Sequence, residues 1–509
     1  MSVSFLVKPR GNRRKEAHSQ SIPKQRTDIS GARNSFRFNH RQPMTSGNAK
    51  TPEQPTLKRN EFRAPNTSPS PLWSSVFSVS SVVNLRVAVL ALLLQAFQTH
   101  AETILFRNAT IHTVTEGVIP DASILVKDGK IAEIGQKIKN ARKRADKIVR
   151  LNGAHLYPGL IASTTSLGLV EINALRQTRD YREVGSYTPD VFSWVSVNPD
   201  SELIPVARAN GISHFLAVPE GGTVPGVSGL MATAGWTVEN MAVKPLAALH
   251  VAWPGMSLSA TGSRKPADQQ KQAKERVQKI DEFFNQAEAY AKAKKATPKD
   301  RFKPVPAWEP MIPFLKGDAP IIIHAAQAPT VKSAVEWAAG RGYKNTIIAG
   351  GRDAWRVAKT LAKHKIPVIY ESTFDQPGRD IDPYDIQYKA PELLRQAGVT
   401  VAISMGAGSF ATSNVRNLPY AAAQSIAFGM PEAEALKAIT LTPARILGVG
   451  DRLGSIQKGK EATFIAVDGD IFDIRSNVQR MWIAGKEVSL ESRHTRLYEK
   501  YKARPKTGE

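Results

Sequence analysis

The feature that most constrains the fold is an alternation of short apolar runs with helical patterns through the middle of the chain. Runs typical of buried strands are each followed by a segment with the spacing of a helix, and the pattern repeats over about 250 residues. The strand-like runs are residues 212–218, 245–252, 320–324, 345–349, 367–370 and 399–404. This repetition is typical of a (β/α)8 barrel. An open doubly wound α/β sheet is the alternative.

Two β-rich regions flank the alternation. On the N-terminal side, apolar runs at residues 122–127 and 130–134 are joined by the two-residue turn Asp128-Gly129, a strong short-range signal for a hairpin. On the C-terminal side, residues 462–467 and 478–483 have the same character. We therefore predict one composite β-sandwich, built from residues 102–157 and 444–490, beside a barrel at residues 158–443.

The first hundred residues differ in composition from the rest. Residues 1–82 are basic and polar, so we expect a disordered segment or one that precedes the natural start of the protein. Residues 83–101 combine a basic flank, a short apolar run and the small residue Ala101, which is typical of a secretory signal peptide. This predicts a bacterial periplasmic or secreted protein. Residues 491–509 are predicted to be a C-terminal tail.

The formal net charge of +24 does not by itself indicate a nucleic-acid partner. Much of it lies in the N-terminal segment, and part lies at residues 264–303, where Val277, Ile280 and Phe284 recur at helical spacing. That spacing predicts a surface helix with one docked face, and no nucleic-acid motif accompanies it. The sequence also has no cysteine, which excludes disulfides, thiolate metal sites and a cysteine nucleophile.

Several segments together resemble the amidohydrolase superfamily, in particular imidazolonepropionase-like metal-dependent hydrolases. Pro158-Gly159-Leu160-Ile161 is similar to the start of that family's first barrel strand, and residues 126–131, 438–444 and 453–462 are similar to its flanking β regions. The resemblance implies a (β/α)8 barrel with a small β domain from both chain ends. It also implies that a metal-bound hydroxide hydrolyses a non-peptide carbon–nitrogen bond in a small amide, cyclic or open-chain.

Most of the family's metal-ligand positions carry other residues in this sequence. Where the family has His-x-His on its first barrel strand, this chain has Thr164 and Ser166. Gly350 takes the place of the sixth-strand histidine, and Gly406 takes the place of the eighth-strand aspartate. Hydroxyls and glycines are poor substitutes for imidazole and carboxylate ligands, so the resemblance implies a degenerate metal site.

Two imidazoles are the remaining candidate metal ligands. His324 keeps the family's fifth-strand histidine, and His250 lies near the end of an earlier strand-like run. We predict that the cofactor is either absent or a weakly bound divalent metal such as zinc, held by His324 and His250. Ordinary hydrogen-bonded histidines are the alternative.

Charged residues follow several predicted barrel strands. The active sites of such barrels lie at the C-terminal ends of the strands. We assign Glu371 and Asp353 as candidate catalytic groups, and Arg352, Arg379 and Glu220 as candidate substrate-binding groups. Solvated loop carboxylates and arginine ion pairs are the alternative for each of them.

Three glycine-containing stretches resemble ligand-binding loops or predict a loop at the barrel end. Residues 454–460 have the spacing of a phosphate-binding loop, but Glu461 replaces the required Ser or Thr, which predicts a plain turn. Residues 406–411 resemble a dinucleotide-binding fingerprint, but we expect no helix to start inside them. Residues 219–229 are rich in glycine and predict a loop at the end of the barrel.

Three functions stay open at this point. They are a hydrolase with a reduced metal site, a metal-free acid/base hydrolase, and a non-catalytic barrel that binds a ligand or a partner. All three predict a small-molecule ligand or a partner. The apolar run before residue 101 is shorter than the ~20 residues that cross a bilayer, so we also expect no stable membrane span. Homo-oligomerisation is left open.

Overall fold

The computed structural model describes residues 102–259 and 264–504, and the predictions for residues 1–82 and 83–101 lie outside the described residues. The described residues belong to one compact unit. Its strands are β1 (Thr103–His112), β2 (Val118–Lys127), β3 (Lys130–Gly135), β4 (Lys147–Arg150), β5 (His155–Pro158), β6 (Leu160–Thr165), β7 (Ile212–Ala217), β8 (Gly226–Ala232), β9 (Ala242–Ala252), β10 (Ile321–Ala325), β11 (Thr346–Gly350), β12 (Val368–Tyr370), β13 (Val401–Ile403), β14 (Phe464–Val467), β15 (Val478–Ile483) and β16 (Lys486–Val488).

The helices lie mainly between the later strands. The α-helices of the described ranges are α1 (Ala141–Arg144), α2 (Leu203–Arg208), α3 (Val238–Met241), α4 (Pro266–Ala296), α5 (Ile312–Lys316), α6 (Ala328–Gly340), α7 (Ala358–Lys363), α8 (Ile386–Gln396), α9 (Ser409–Asn414), α10 (Leu418–Ala427), α11 (Glu432–Ile439), α12 (Leu441–Ile446) and α13 (Arg493–Lys502). Short 3-10 helices cover Arg176–Thr178, Ser193–Ser196, Glu309–Met311, Ala354–Val357 and Val415–Asn417. None of these helices is long and apolar enough to cross a membrane.

The two ends of the described chain meet in one β domain. Its strands form a single sheet in the order β16-β15-β14-β5-β1-β2-β3, with β4 also paired to β1. The ends join where β14 runs antiparallel to β5, with Phe464 opposite Pro158. Phe106, Phe464 and Trp482 fill the core of this domain, with ring centroids 4.9 to 5.5 Å apart. The predicted composite domain is therefore present as one continuous sheet.

The second sheet is the predicted barrel. Its eight strands follow chain order from β6 to β13. The strands are parallel except β8, which is antiparallel to both β7 and β9. Between the outer strands β13 and β6, the Ser404 hydroxyl accepts a hydrogen bond from Thr164 N at 3.2 Å and donates to Thr164 O at 3.0 Å. The predicted barrel is confirmed, with one reversed strand and a nearly closed wall.

The sequence-based interpretation of residues 219–229 as a loop is wrong for the last four of them, residues 226–229. Gly226–Ala232 form β8, and every residue of this strand is buried. The glycines allow close packing: a Cβ on Gly226 would lie 2.4 Å from Val191 O, and one on Gly229 would lie 2.6 Å from Trp194 Cβ. The glycines of β8 are therefore needed because residues 191 and 194 pack directly on this strand.

The helix assignments bear on four other predictions. The surface helix is confirmed as α4, whose buried side chains include Ile280 and Phe284. The interpretation that no helix starts within residues 406–411 is wrong, because α9 begins at Ser409. Residues 454–460 contain no helix, as predicted for a turn. The tail at residues 491–509 contains α13, which Ser492 caps at its N-terminus.

Candidate functional site

A cavity of about 460 Å³ opens at the C-terminal ends of β10, β11 and β12. Trp253, His324, Thr330, Arg352 and Glu371 contribute to its wall. A larger groove of about 560 Å³ lies near the start of β13, at the opposite end of the barrel. Because catalytic groups of these barrels lie at the C-terminal strand ends, we assign the smaller cavity as the candidate site.

Glu371 follows β12 directly and is the central acid of the cavity. Its Oε1 accepts a hydrogen bond from the Thr164 hydroxyl at 2.5 Å. Burial raises the pKa of Glu371, the hydrogen bond from Thr164 lowers it, and the nearby Glu220 and Asp375 raise it, so that the pKa is about 7. Both protonation states of the side chain are therefore accessible near neutral pH.

A second carboxylate, Glu220, accepts a hydrogen bond from Ser166, just as Glu371 does from Thr164. Ser166 Oγ donates to Glu220 Oε1 at 2.7 Å and accepts a hydrogen bond from Gly408 N at 3.0 Å. Burial raises the pKa of Glu220, and the hydrogen bond from Ser166 partly offsets this effect. Thr164 and Ser166 thus each bind one carboxylate.

The two candidate metal-ligand histidines lie on adjacent strands and face each other. His250 Nδ1 on β9 lies 2.8 Å from His324 Nε2 on β10. On its other side, His250 Nε2 lies 2.8 Å from the hydroxyl of Ser228 on β8. Burial lowers the pKa of His324 to about 4, and burial together with the charge of His324 lowers that of His250 well below its usual value. Both rings are neutral at neutral pH.

The remaining predicted site residues separate into two groups. Arg352 lines the cavity, donates to Gln376 O at 2.6 Å, and has a buried Nε without a partner among the described residues. Asp353 is 4% exposed and accepts hydrogen bonds from Ala328 N at 3.4 Å and from Arg379 at 3.1 Å. Asp353 and Arg379 therefore stabilise the start of α6, and they are not part of the cavity wall.

Sequence reasoning missed several residues of the site. Ser228 was overlooked because its strand was interpreted as a loop. Trp253 and Thr330 were overlooked because only charged residues after the strands were assigned as candidates. Trp253 directly follows the predicted run at residues 245–252, and this position was the signal that could have identified it.

Comparison with known proteins agrees with this geometry. The model of the amidohydrolase family matches residues 248–488. An amidohydrolase of known structure from Thermotoga maritima MSB8 is 27% identical, with a TM-score of 0.66 over 76% of this chain and 99% of that chain. Residues 248–488 thus match the amidohydrolase family, and 76% of the chain is similar in fold to an amidohydrolase of known structure. This similarity supports a hydrolase-like function.

Matches to curated relatives are short. A putative N-acetylgalactosamine-6-phosphate deacetylase of Escherichia coli (strain K12) is 41% identical over 62 residues, which are 12% of this chain and 34% of that protein. The amidohydrolase tasK of Hapsidospora irregularis is 33% identical over 72 residues, which are 14% of this chain and 7% of that protein. The chain thus matches about a third or less of these relatives.

Members of this superfamily usually bind a divalent metal, and the residues present at this site can be compared with that requirement. The hydroxyls of Thr164 and Ser166 are engaged with Glu371 and Glu220. The facing nitrogens of His250 and His324 point at each other, so they do not converge on a common ion. Across residues 102–259 and 264–504, no three His, Asp or Glu side chains form a group suited to a metal. These residues do not fit the family's metal centre.

Proposed function

We propose that this protein hydrolyses the carbon–nitrogen bond of a small amide, cyclic or open-chain, by acid/base chemistry at the barrel mouth. The observation that carries the proposal is Glu371, a carboxyl group with a pKa of about 7 in the wall of the cavity. A catalytic acid or base works best when its pKa lies near the operating pH, because both protonation states are then accessible. Similarity to the amidohydrolase family supplies the reaction class.

The two oxygens of Glu371 have different surroundings, which suggests separate roles. Oε1 accepts the Thr164 hydrogen bond, so this oxygen fixes the orientation of the carboxylate. Oε2 lies toward the open space beside two glycines, where a Cβ on Gly406 would be 3.4 Å away and one on Gly350 would be 3.9 Å away. Oε2 is therefore the oxygen that we assign to proton transfer.

The proposed reaction uses water as the nucleophile. Ionised Glu371 takes a proton from a water molecule through Oε2 while the water oxygen bonds to the amide carbon. The same carboxyl group then donates that proton to the amide nitrogen as the carbon–nitrogen bond breaks, which gives a carboxylic acid and an amine. Arg352, in the same cavity wall, supplies a positive charge for the oxyanion of the intermediate.

The experiment is a comparison of two glutamine variants after treatment with a chelator. The protein is assayed against a panel of lactams, imides and N-acyl amines. Glu371→Gln is expected to lower kcat by about 100-fold or more, and wild-type activity should rise with an apparent pKa near 7. Glu392→Gln is the matched control, because Glu392 is buried on α8 and pairs with Arg395 at 2.7 Å.

Two results would overturn the proposal. One is activity that Glu371→Gln retains in full. The other is activity that chelation abolishes and added zinc restores, because that result would show that a metal, and not Glu371 alone, activates the water.

A non-catalytic ligand-binding barrel is the second candidate. The observation that favours it is that the polar groups of the site are already bonded in pairs: Thr164 with Glu371, Ser166 with Glu220, and His250 with His324. Saturable binding of panel compounds, measured by calorimetry, without turnover in the wild-type protein would support this candidate over hydrolysis.

A further inference from the structure

The β domain carries a basic groove on its outer face, the side turned away from the domain core. The groove has a volume of about 410 Å³ and lies where α1 packs beside β1. No acidic or aromatic side chain lines it, and its basic lining residues are Arg107, Lys137, Arg142 and Lys143. A positive surface of this kind attracts anionic partners.

Protein acids do not neutralise the charge of this groove. Residues 137–150 contain seven Lys or Arg residues and a single acid, Asp146. The Oδ2 atom of Asp146 accepts a hydrogen bond from Thr103 N at 2.8 Å. Within residues 102–259 and 264–504, only Arg144 of the seven forms an ion pair, with Glu133 at 2.5 Å, and none of the four basic side chains of the groove has a hydrogen bond or an ion pair.

Two adjacent strands place arginines side by side on the outer face. In the parallel pairing of β1 with β4, Arg107 lies opposite Arg150. The neighbouring residues Phe106 and Val149 belong to the domain core, and side chains alternate along a strand, so both arginines point away from the core. Neighbouring like charges repel each other, and a bound anion relieves that repulsion.

An exposed apolar side chain lies on the same face. Ile148 precedes Val149 on β4 and is 46% exposed, so it shares the outer side of the strand with Arg150. Anionic bilayers bind proteins by attracting basic side chains to lipid phosphates and by burying apolar side chains at the boundary of the acyl chains. Nucleic-acid bases stack on aromatic side chains, which the groove lacks. The combination favours a bilayer over a nucleic acid.

We propose that this basic face binds the surface of a bilayer that contains anionic lipids. Lipid phosphates occupy the groove and the space beside the paired arginines, and the apolar side chain enters the boundary of the acyl chains. The contact is peripheral and does not depend on the reaction proposed for the barrel mouth. The basic face consists of Arg107, Lys137, Arg142, Lys143, Ile148 and Arg150.

The test measures how the full-length protein partitions between buffer and sedimented vesicles. Vesicles of phosphatidylcholine with phosphatidylglycerol are compared with vesicles of phosphatidylcholine alone, at low and at high salt. The wild-type protein should bind only the anionic vesicles, and high salt should release it, because salt screens exposed charges. Equal binding to the two kinds of vesicle, or binding to neither, overturns the proposal.

A double substitution tests whether the groove carries the binding. Each basic residue beside an anionic bilayer contributes about fivefold, so Arg142→Gln with Lys143→Gln should lower the partition coefficient by about 30-fold. The control, Lys274→Gln with Arg276→Gln on α4, removes the same two charges from equally exposed positions and should change it by less than about threefold. Equal losses in both double variants, or no loss in the first, contradict the proposal.

Two single substitutions separate binding from folding. Arg107→Gln should lower the partition coefficient by about fivefold without lowering the midpoint of urea unfolding, because it removes a repulsion with Arg150. Ile148→Asn keeps every charge and should weaken binding by about threefold or more. Partitioning that neither variant changes rules out the basic face as the bilayer contact.

A nucleic acid is the competing partner for a basic surface, and a gel-shift assay with a DNA duplex distinguishes it. The bilayer proposal is wrong if Arg142→Gln with Lys143→Gln loses affinity for the duplex and keeps the wild-type partitioning to anionic vesicles. Loss of vesicle binding, with weak and equal duplex affinity in wild type and variant, supports the bilayer.

Discussion

Neutralising Glu371 should change the pH dependence of stability in a direction set by its raised pKa. A glutamate has a pKa of 4.5 in an unfolded chain, whereas Glu371 in the folded protein has a pKa of about 7. Between these values the folded state keeps a proton that the unfolded state has lost. Stability therefore falls as the pH rises through this window, and the loss is complete above pH 7.

The magnitude follows from the size of the pKa shift. Moving from pH 5 to pH 8 covers most of the interval between the two pKa values, so ionisation of Glu371 should cost the wild-type protein about 2 to 3 kcal/mol of unfolding free energy. Glu371→Gln does not ionise, and its carbonyl oxygen can still accept the Thr164 hydrogen bond. The variant should therefore gain about 2 to 3 kcal/mol relative to wild type between pH 5 and pH 8.

The assay is urea unfolding of both proteins at a series of pH values from 5 to 8. Comparing wild type with variant removes the contribution of the buried histidines, whose lowered pKa values make stability rise with pH between about pH 4 and pH 6.5. Glu392→Gln is the control: Arg395 lowers the pKa of Glu392, so this group is mainly ionised in both states from pH 5 to pH 8 and adds little pH dependence. The reasoning is wrong if the difference in unfolding free energy between Glu371→Gln and wild type changes by less than about 0.5 kcal/mol from pH 5 to pH 8.

Four further predictions concern other parts of the chain. Metal analysis of dialysed protein should find less than one tightly bound transition metal per chain, and stoichiometric zinc would contradict this. Truncation after Leu453 removes β14 and β15 and so exposes the edge of β5, and the product should aggregate; a soluble, cooperatively unfolding product would show that the ends fold separately. His324→Ala should weaken amide binding by about tenfold or more, the roughly 1 to 3 kcal/mol expected for an unsatisfied partner, and unchanged affinity in calorimetry would remove His324 from the site. N-terminal sequencing of the exported protein should begin at Glu102, and a sequence that includes residues before 80 would contradict the signal peptide.

The fold was predictable because its signals are local. Alternating apolar runs identified six of the barrel strands, or parts of them, and the Asp128-Gly129 turn identified the β2–β3 hairpin. Both turn residues have positive φ values, 52° and 72°, as this kind of hairpin turn requires. β8 was not predicted, because its glycines, which allow residues 191 and 194 to pack on the strand, are also typical of a loop.

The candidate site was predictable only in part, because its contacts join distant parts of the sequence. Glu371 and Arg352 were found from their position at strand ends and His324 from the family resemblance, and the barrel brings all three to one cavity. The hydrogen bond between Thr164 and Glu371 spans 207 residues, and no local pattern indicates it. Asp353 also follows a barrel strand, but its carboxylate turns to the backbone of α6, and only side-chain geometry distinguishes that role from catalysis.

Residues 164, 166, 350 and 406, which the sequence resemblance aligns with four of the family's metal-ligand positions, act as a set, and this limits what a single substitution at one of them can do. Gly350 and Gly406 have φ values of 94° and 81°, a backbone region in which histidine and aspartate are strained. Moreover, the Cβ of an aspartate at position 406 would lie 3.4 Å from Glu371 Oε2, which places a second carboxylate beside one whose pKa burial has already raised. Thr164 and Ser166 meanwhile supply the hydrogen bonds that hold Glu371 and Glu220. Because the glycines provide the space and the hydroxyls provide the hydrogen bonds, rebuilding a metal centre requires these positions and Glu371 to change together.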